Sequence, residues 1–180
     1  MNEEWRTDII RWNKISLETA ELYLGLAEKR LDETVETAKN ISDKNEKLLT
    51  LCISLITLIL SYISVSSWKL VGVDYFITTL VVMISFLLVQ LWFLVRNIMV
   101  FKIGTKGEEP KYILTENFVG KQKKNEQYLN LVLHVCEIYQ NKINCNHTVN
   151  AKRNNRLVIA IYLFIGLPIS FLLALGCRLL

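Results

Sequence analysis

The residues that could do chemistry are few and fall in two places. Along a long apolar run, Thr50, Ser54, Thr57, Ser61 and Ser64 are spaced alternately four and three apart, which stacks their hydroxyls on one helical face. Such a face either packs against another helix through hydroxyl hydrogen bonds or meets water as a weakly polar pore lining. Further along, His134-Val-Cys136 and Cys145-Asn-His147 form a near-palindrome of metal-ligand types. On an uninterrupted helix, residues two apart diverge by about 200° and residues nine apart face opposite ways. The four could converge only if the chain turned around Asn141 to Asn146, so neither a metal nor a cofactor is expected. Lys142 and His147 are weak catalytic candidates: a cation and an imidazole five residues apart, although Lys lacks the bidentate fork with which Arg grips phosphate. No nucleophile elbow, P-loop or dinucleotide fingerprint is present.

The elements carrying these residues follow from hydropathy. Of 180 residues, 52% are hydrophobic, high for a soluble domain. The excess sits in three uncharged runs, Leu48 to Val65, Tyr75 to Val95 and Leu157 to Cys177, each about the 20 residues that a helix needs to cross a bilayer. Since membrane-spanning segments are helices or closed barrels and strand signals are scarce, the expected fold class is all-α, with about three transmembrane segments and a cytoplasmic helical part. In the second run Gln90 is a candidate inter-helix or pore group. In the third, Pro168 should kink or interrupt the helix. Gly166, Ser170 and Ala174 recur every fourth residue, the small-residue spacing used for close helix packing.

Outside these runs, Trp5 to Ile41 reads as a long amphipathic helix with an apolar stripe that includes Ala20, Leu24, Leu31, Ala38 and Ile41. Asn40 to Asp43 reads as a break or kink, and Asp43 to Glu46 as a capping box for the helix entering the membrane. A second stripe, Tyr128, Val132, Val135, Tyr139 and Ile143, should pair with the first. Asn141 to Asn155, with six asparagines, reads as a polar lead-in to the third run. Gly104, Gly107 and Pro110 mark a loop, and Lys121, Lys123 and Lys124 form a basic cluster without interleaved aromatics, so direct nucleic-acid binding is not expected. Before Leu48 eight Lys/Arg meet eleven Asp/Glu, whereas residues 96–156 carry eleven against five. The positive-inside rule therefore places the N-terminus and 96–156 on the cytoplasmic side of the membrane. The segments are 1–47, a cytoplasmic amphipathic helix; 48–101, a transmembrane hairpin; 102–156, a cytoplasmic basic loop and helix; and 157–180, a C-terminal span.

In length and layout the chain resembles small membrane effectors of bacterial anti-phage defence, above all the membrane accessory proteins encoded beside the RNA-guided RNase of type VI-B CRISPR systems. The resemblance is carried by the acidic amphipathic N-terminal helix, the apolar segments and Lys142 to His147, a degenerate match to a HEPN-like motif with Lys in place of Arg. It implies a ring-shaped homo-oligomer in contact with membrane lipids, functionally coupled to an RNA-guided RNase, whose pore or membrane depolarisation enhances defence. The alternatives are a membrane-tethered RNase using His147, and a scaffold recruiting a soluble partner to the membrane.

Overall fold

The computed structural model describes residues 14–67, 75–99, 101–107 and 124–179, with side chains over 14–65, 78–99, 101–107 and 126–169. Among the described residues the fold is all-helical: α1 (Leu17–Ser67), α2 (Tyr75–Ile98) and α3 (Lys124–Leu179). α1 begins where Ser16 Oγ accepts a hydrogen bond from the Thr19 amide at 3.2 Å, a side-chain cap for one of the first turn's unpaired donors. Trp5, Ile9 and Trp12 lie outside the described residues, as do Lys121 and Lys123.

Two expectations are corrected. No break occurs at Asn40 to Asp43, and Asp43 to Glu46 is not a helix start, because α1 continues through all of them for 51 residues. α3 is likewise helical through Asn141 to Asn155 and through Pro168, 56 residues in all, so the proline does not interrupt it. Local signals for a stop lose here to packing, because Ala38, Ile41 and Asn45 are buried in unbroken phase across the supposed break.

That phase is the organising feature. In α1 the positions 20, 24, 27, 31, 34, 38, 41, 45, 48, 52, 55 and 59 are all buried or half-buried, at gaps of four and three throughout. α2 repeats the pattern at 80, 83, 87, 90, 94 and 97, and α3 from 129 through 132, 136, 139 and 143 to 167. A mean spacing of 3.5 residues is the heptad repeat with which helices wrap around one another in a left-handed sense.

The chain forms two compact units, 1–39 with 101–150, and 40–100 with 151–180. In the first, α1 and α3 run parallel. Ala20 packs with Val132, Leu133 and Cys136, and Leu31 with Tyr139 and Ile143, which makes the expected pairing of the two amphipathic stripes. The Tyr128 hydroxyl reaches Glu21 at 3.1 Å at the start of this pair, and that bond to a carboxylate raises the phenol's pKa. In the second, Ile41, Cys52, Leu87, Leu94, Leu157, Ala160 and Leu167 form one apolar cluster from all three helices. α2 is antiparallel to the other two: Asn45 meets Leu94, while Leu55 and Ile59 share an apolar cleft of about 530 Å³ with Met83, Leu87 and Phe164.

The exterior of this second unit is apolar. The most hydrophobic 18-residue stretch of α1 has a mean hydropathy of 2.4 and only 6% of it is buried; the values for α2 are 2.3 and 22%. A core helix of a soluble protein would have its apolar stretch mostly covered, whereas Leu58, Leu60, Val65, Phe86, Leu88 and Trp92 all face outward. Among the described residues, two helices are thus long and apolar enough to cross a membrane. In the first unit Leu31, with no exposed surface, should be a sensitive position. Leu31→Ala should destabilise it by about 2–5 kcal/mol through transfer and cavity terms. Exposed Leu22→Ala should leave it unchanged, both read from denaturant unfolding in detergent.

Candidate functional site

The five hydroxyl residues, Thr50, Ser54, Thr57, Ser61 and Ser64, all lie on the exposed face of α1, opposite buried Cys52 and the half-buried positions 48, 55 and 59. Four of the hydroxyls donate back to the carbonyl one turn earlier: Thr50 to Glu46 at 3.0 Å, Ser54 to Thr50 at 2.9 Å, Thr57 to Ile53 at 2.9 Å and Ser61 to Thr57 at 2.8 Å. Each such bond satisfies the hydroxyl donor inside the helix. The oxygen lone pairs remain directed outward, so the face offers acceptors to whatever it meets. Inter-helix hydroxyl bonding within the chain, the first of the two expected roles, is not made by these four residues in the described structure. Below Thr50, the side chains of Asp43, Glu46 and Lys47 continue the surface as a shallow open cleft.

A buried polar layer, which sequence reading missed apart from Gln90, crosses the second unit. Asn45, with no exposed surface, donates through Nδ2 to the Leu94 carbonyl at 3.1 Å and accepts through Oδ1 from Asn97 Nδ2 at 3.2 Å. Asn97 Nδ2 also donates to the Arg153 carbonyl at 3.0 Å, and Arg153 Nη2 to Ser42 Oγ at 2.7 Å. One amide pair therefore ties all three helices at one level. Burial lowers the pKa of the Arg153 guanidinium, and Arg156 Nη1 donates to the Arg96 carbonyl at 3.2 Å in the last turn of α2, where partners for terminal carbonyls are needed. Arg96 in turn lies 5.0 Å from the centre of the Trp92 ring, a cation–π contact at the end of the apolar helix. Seven residues from Asn97 on the same face of α2 lies Gln90, which has no exposed surface and whose Nε2 and Oε1 both lack a partner among the described residues. Of the roles expected for Gln90, the inter-helix position is the one it occupies. The signal that could have revealed the layer is the continued heptad phase: Asn45, Gln90, Asn97 and Arg153 all occupy its core positions.

The first unit has its own polar clamp. Asn146, fully buried, accepts from the Gly104 amide at 2.8 Å and donates to the Gly104 carbonyl at 2.9 Å, pairing with that residue's backbone as a strand neighbour would. Its Nδ2 also donates to Thr34 Oγ1 at 2.9 Å, and Asn150 donates to the Thr34 carbonyl at 2.8 Å. Lys142 Nζ donates to the carbonyls of Thr105 and Gly107 at 3.0 and 2.7 Å, and Lys106 pairs with Asp32. Segment 101–107 is thereby fixed to α1 and α3. Gly107 has φ +83°, a conformation that suits glycine, and a Cβ on Gly104 would lie 2.8 Å from Lys142 Cβ.

The remaining sequence candidates are dispersed. Lys142 is engaged with backbone carbonyls, while His147 is exposed and about 140° away around the helix. No metal-binding group of His, Cys, Asp or Glu exists among the described residues, and α3 makes no turn that would gather His134, Cys136, Cys145 and His147. Cys136 is buried, its thiol pKa raised by burial and by Glu28, whereas Cys145 is exposed. Gly166 is exposed with open space where a Cβ would project, so any close approach there would come from outside the chain; the side chains of Ser170 and Ala174 lie outside the described residues. No family model, curated protein or solved structure matches this chain.

The clamp generates a direct test. Asn146→Leu removes three hydrogen bonds and leaves the Gly104 peptide uncovered, a loss of about 1–3 kcal/mol. Hydrogen exchange at the Gly104 amide should accelerate on the order of tenfold or more. Gly104→Ala should act in the same direction through its clash with Lys142.

Proposed function

We propose that this chain is an integral membrane protein that assembles with copies of itself around the hydroxyl face of α1. The assembly forms a pore or membrane-depolarising effector that enhances RNA-guided anti-phage defence. The observation that carries the reading is the exposure of the hydroxyl stripe along a helix whose other outward residues at that level are Leu, Ile, Tyr and Val. Among the described residues the three helices enclose no channel of their own, since their core is filled by the apolar cluster and the polar layer. Several copies presenting Ser54, Thr57 and Ser61 to a shared axis would line a path with oxygen atoms and no membrane-buried charge. Because the hydroxyl hydrogens are directed inward, the lining offers acceptors and favours cations over anions. The defence setting comes from the resemblance in layout, as does the coupling to an RNA-guided RNase. The third span over Leu157 to Cys177, the cytoplasmic placement of 96–156 and the ring are parts of the same proposal.

Planar-bilayer recording of purified protein tests it. The protein should conduct, with cations preferred. Thr57→Leu combined with Ser61→Leu should cut conductance sharply while leaving the oligomer, measured by native mass spectrometry, intact. An oligomer that fails to conduct under activating conditions would remove the pore, and equal conductance in the double variant would remove the stripe from its wall.

A further inference from the structure

At the height of the polar layer the outer surface of the second unit changes from apolar to basic. The hydrogen bonds of the layer fix the level of α2 against α3: Asn97 Nδ2 donates to the Arg153 carbonyl at 3.0 Å, and Arg156 Nη1 to the Arg96 carbonyl at 3.2 Å. On one side of that level Trp92 and Val95 of α2 and Val158, Ile159 and Ile161 of α3 face outward. At the level itself stand exposed Arg96 and half-buried Arg156, with exposed Lys152 one turn before Arg156 on α3. Neither helix supplies an acid to this seam, since α2 contains no Asp or Glu and α3 contains none after Glu137. The acidic groups at this height, Asp43 and Glu46, are carried by α1. Guanidinium groups grip phosphate oxygens with planar forks, and positive charge at the edge of an apolar surface suits an amphiphile of the opposite sign. We propose that the α2–α3 seam at Arg96 and Arg156 binds the phosphate headgroup of an anionic phospholipid, whose acyl chains lie along the exposed apolar residues beyond it. A lipid fits better than a soluble phosphate because one molecule meets both surfaces, its phosphate the cations and its chains Trp92, Val95, Val158 and Ile159. Trp92, with the Arg96 guanidinium 5.0 Å from its ring centre, stands at this boundary, where the aromatic residues of membrane proteins collect. The proposal rests on the membrane placement and is independent of the pore.

Trp92 is the reporter, in full-length protein carrying Trp5→Phe, Trp12→Phe and Trp68→Phe. The protein is reconstituted into vesicles of phosphatidylcholine and phosphatidylglycerol in equal amounts, with the acyl chains of only one of the two lipids brominated in each preparation, and quenching of Trp92 fluorescence gives the local ratio of the two lipids. That ratio should favour phosphatidylglycerol several-fold over the bulk. Arg96→Gln combined with Arg156→Gln should return it to the bulk value, and the single exposed change Lys152→Gln should lower it partway. Lys44→Gln, on α1, should leave it unchanged, and soluble glycerol phosphate should not displace the lipid. A local ratio equal to the bulk ratio, or a fall in the Lys44→Gln variant as large as that in Lys152→Gln, would overturn the site and leave the membrane placement standing. Displacement by glycerol phosphate would overturn it in favour of a soluble phosphate ligand, and a Trp92 quenched by neither lipid would overturn the site and the membrane placement together.

Discussion

The repeat of 3.5 residues between buried positions is the constraint on which the rest depends. It lets α1 present core side chains over twelve successive positions without a phase break, and it sets what the other faces of that helix can be. With 48, 52, 55 and 59 turned inward, 50, 54, 57, 61 and 64 must turn outward, because the two sets lie on opposite sides of a helix that carries both. The exposure of the hydroxyls is therefore a consequence of packing. The same register places Asn45, Gln90, Asn97 and Arg153 where an apolar heptad would have Leu or Ile. A polar residue at such positions sacrifices stability for registry, since it is satisfied only when its partners on the neighbouring helices are at the right height.

The two units use this device differently. In the first, Asn146 completes the hydrogen bonding of a non-helical segment, so that 101–107 is held without a strand or helix of its own. In the second, the Asn45 and Asn97 pair binds helix to helix. Both place a side-chain amide against backbone carbonyls at zero or near-zero exposure, the environment in which such bonds are hardest to replace by water.

Much of the fold could be read from the sequence, since the helical class, the apolar runs and the pairing of the stripe through Ala20 and Leu31 with that through Val132 and Tyr139 all follow from hydropathy and periodicity. The supposed break at Asn40 to Asp43 shows where such reading fails. Asn, Ser and Asp carry stop and cap signals because their side chains can bond nearby backbone, but that preference is a fraction of the packing energy that carries a helix through. Asn45 was hidden for a related reason: an apolar-only search for periodicity discards polar residues, including those that hold the core phase. The hydroxyl stripe was legible as a stripe, and its exposure required the structure. Lys142 shows a contact the spacing did not suggest, its ammonium donating to the Thr105 and Gly107 carbonyls of a non-helical segment.

The central claim is that one face of α1 is kept for water while its other outward faces meet lipid, and spin-label accessibility scanned from position 48 to 65 in lipid bilayers measures this directly. The account predicts three classes at a period near 3.5: positions 48, 52, 55 and 59 closed to both probes; 51, 58, 60 and 65 open to oxygen, which concentrates in lipid; and 50, 54, 57, 61 and 64 open to a water-soluble nickel chelate. Oxygen accessibility at the hydroxyl positions equal to that at 58 and 65, with no nickel accessibility, would place the stripe in lipid and contradict it.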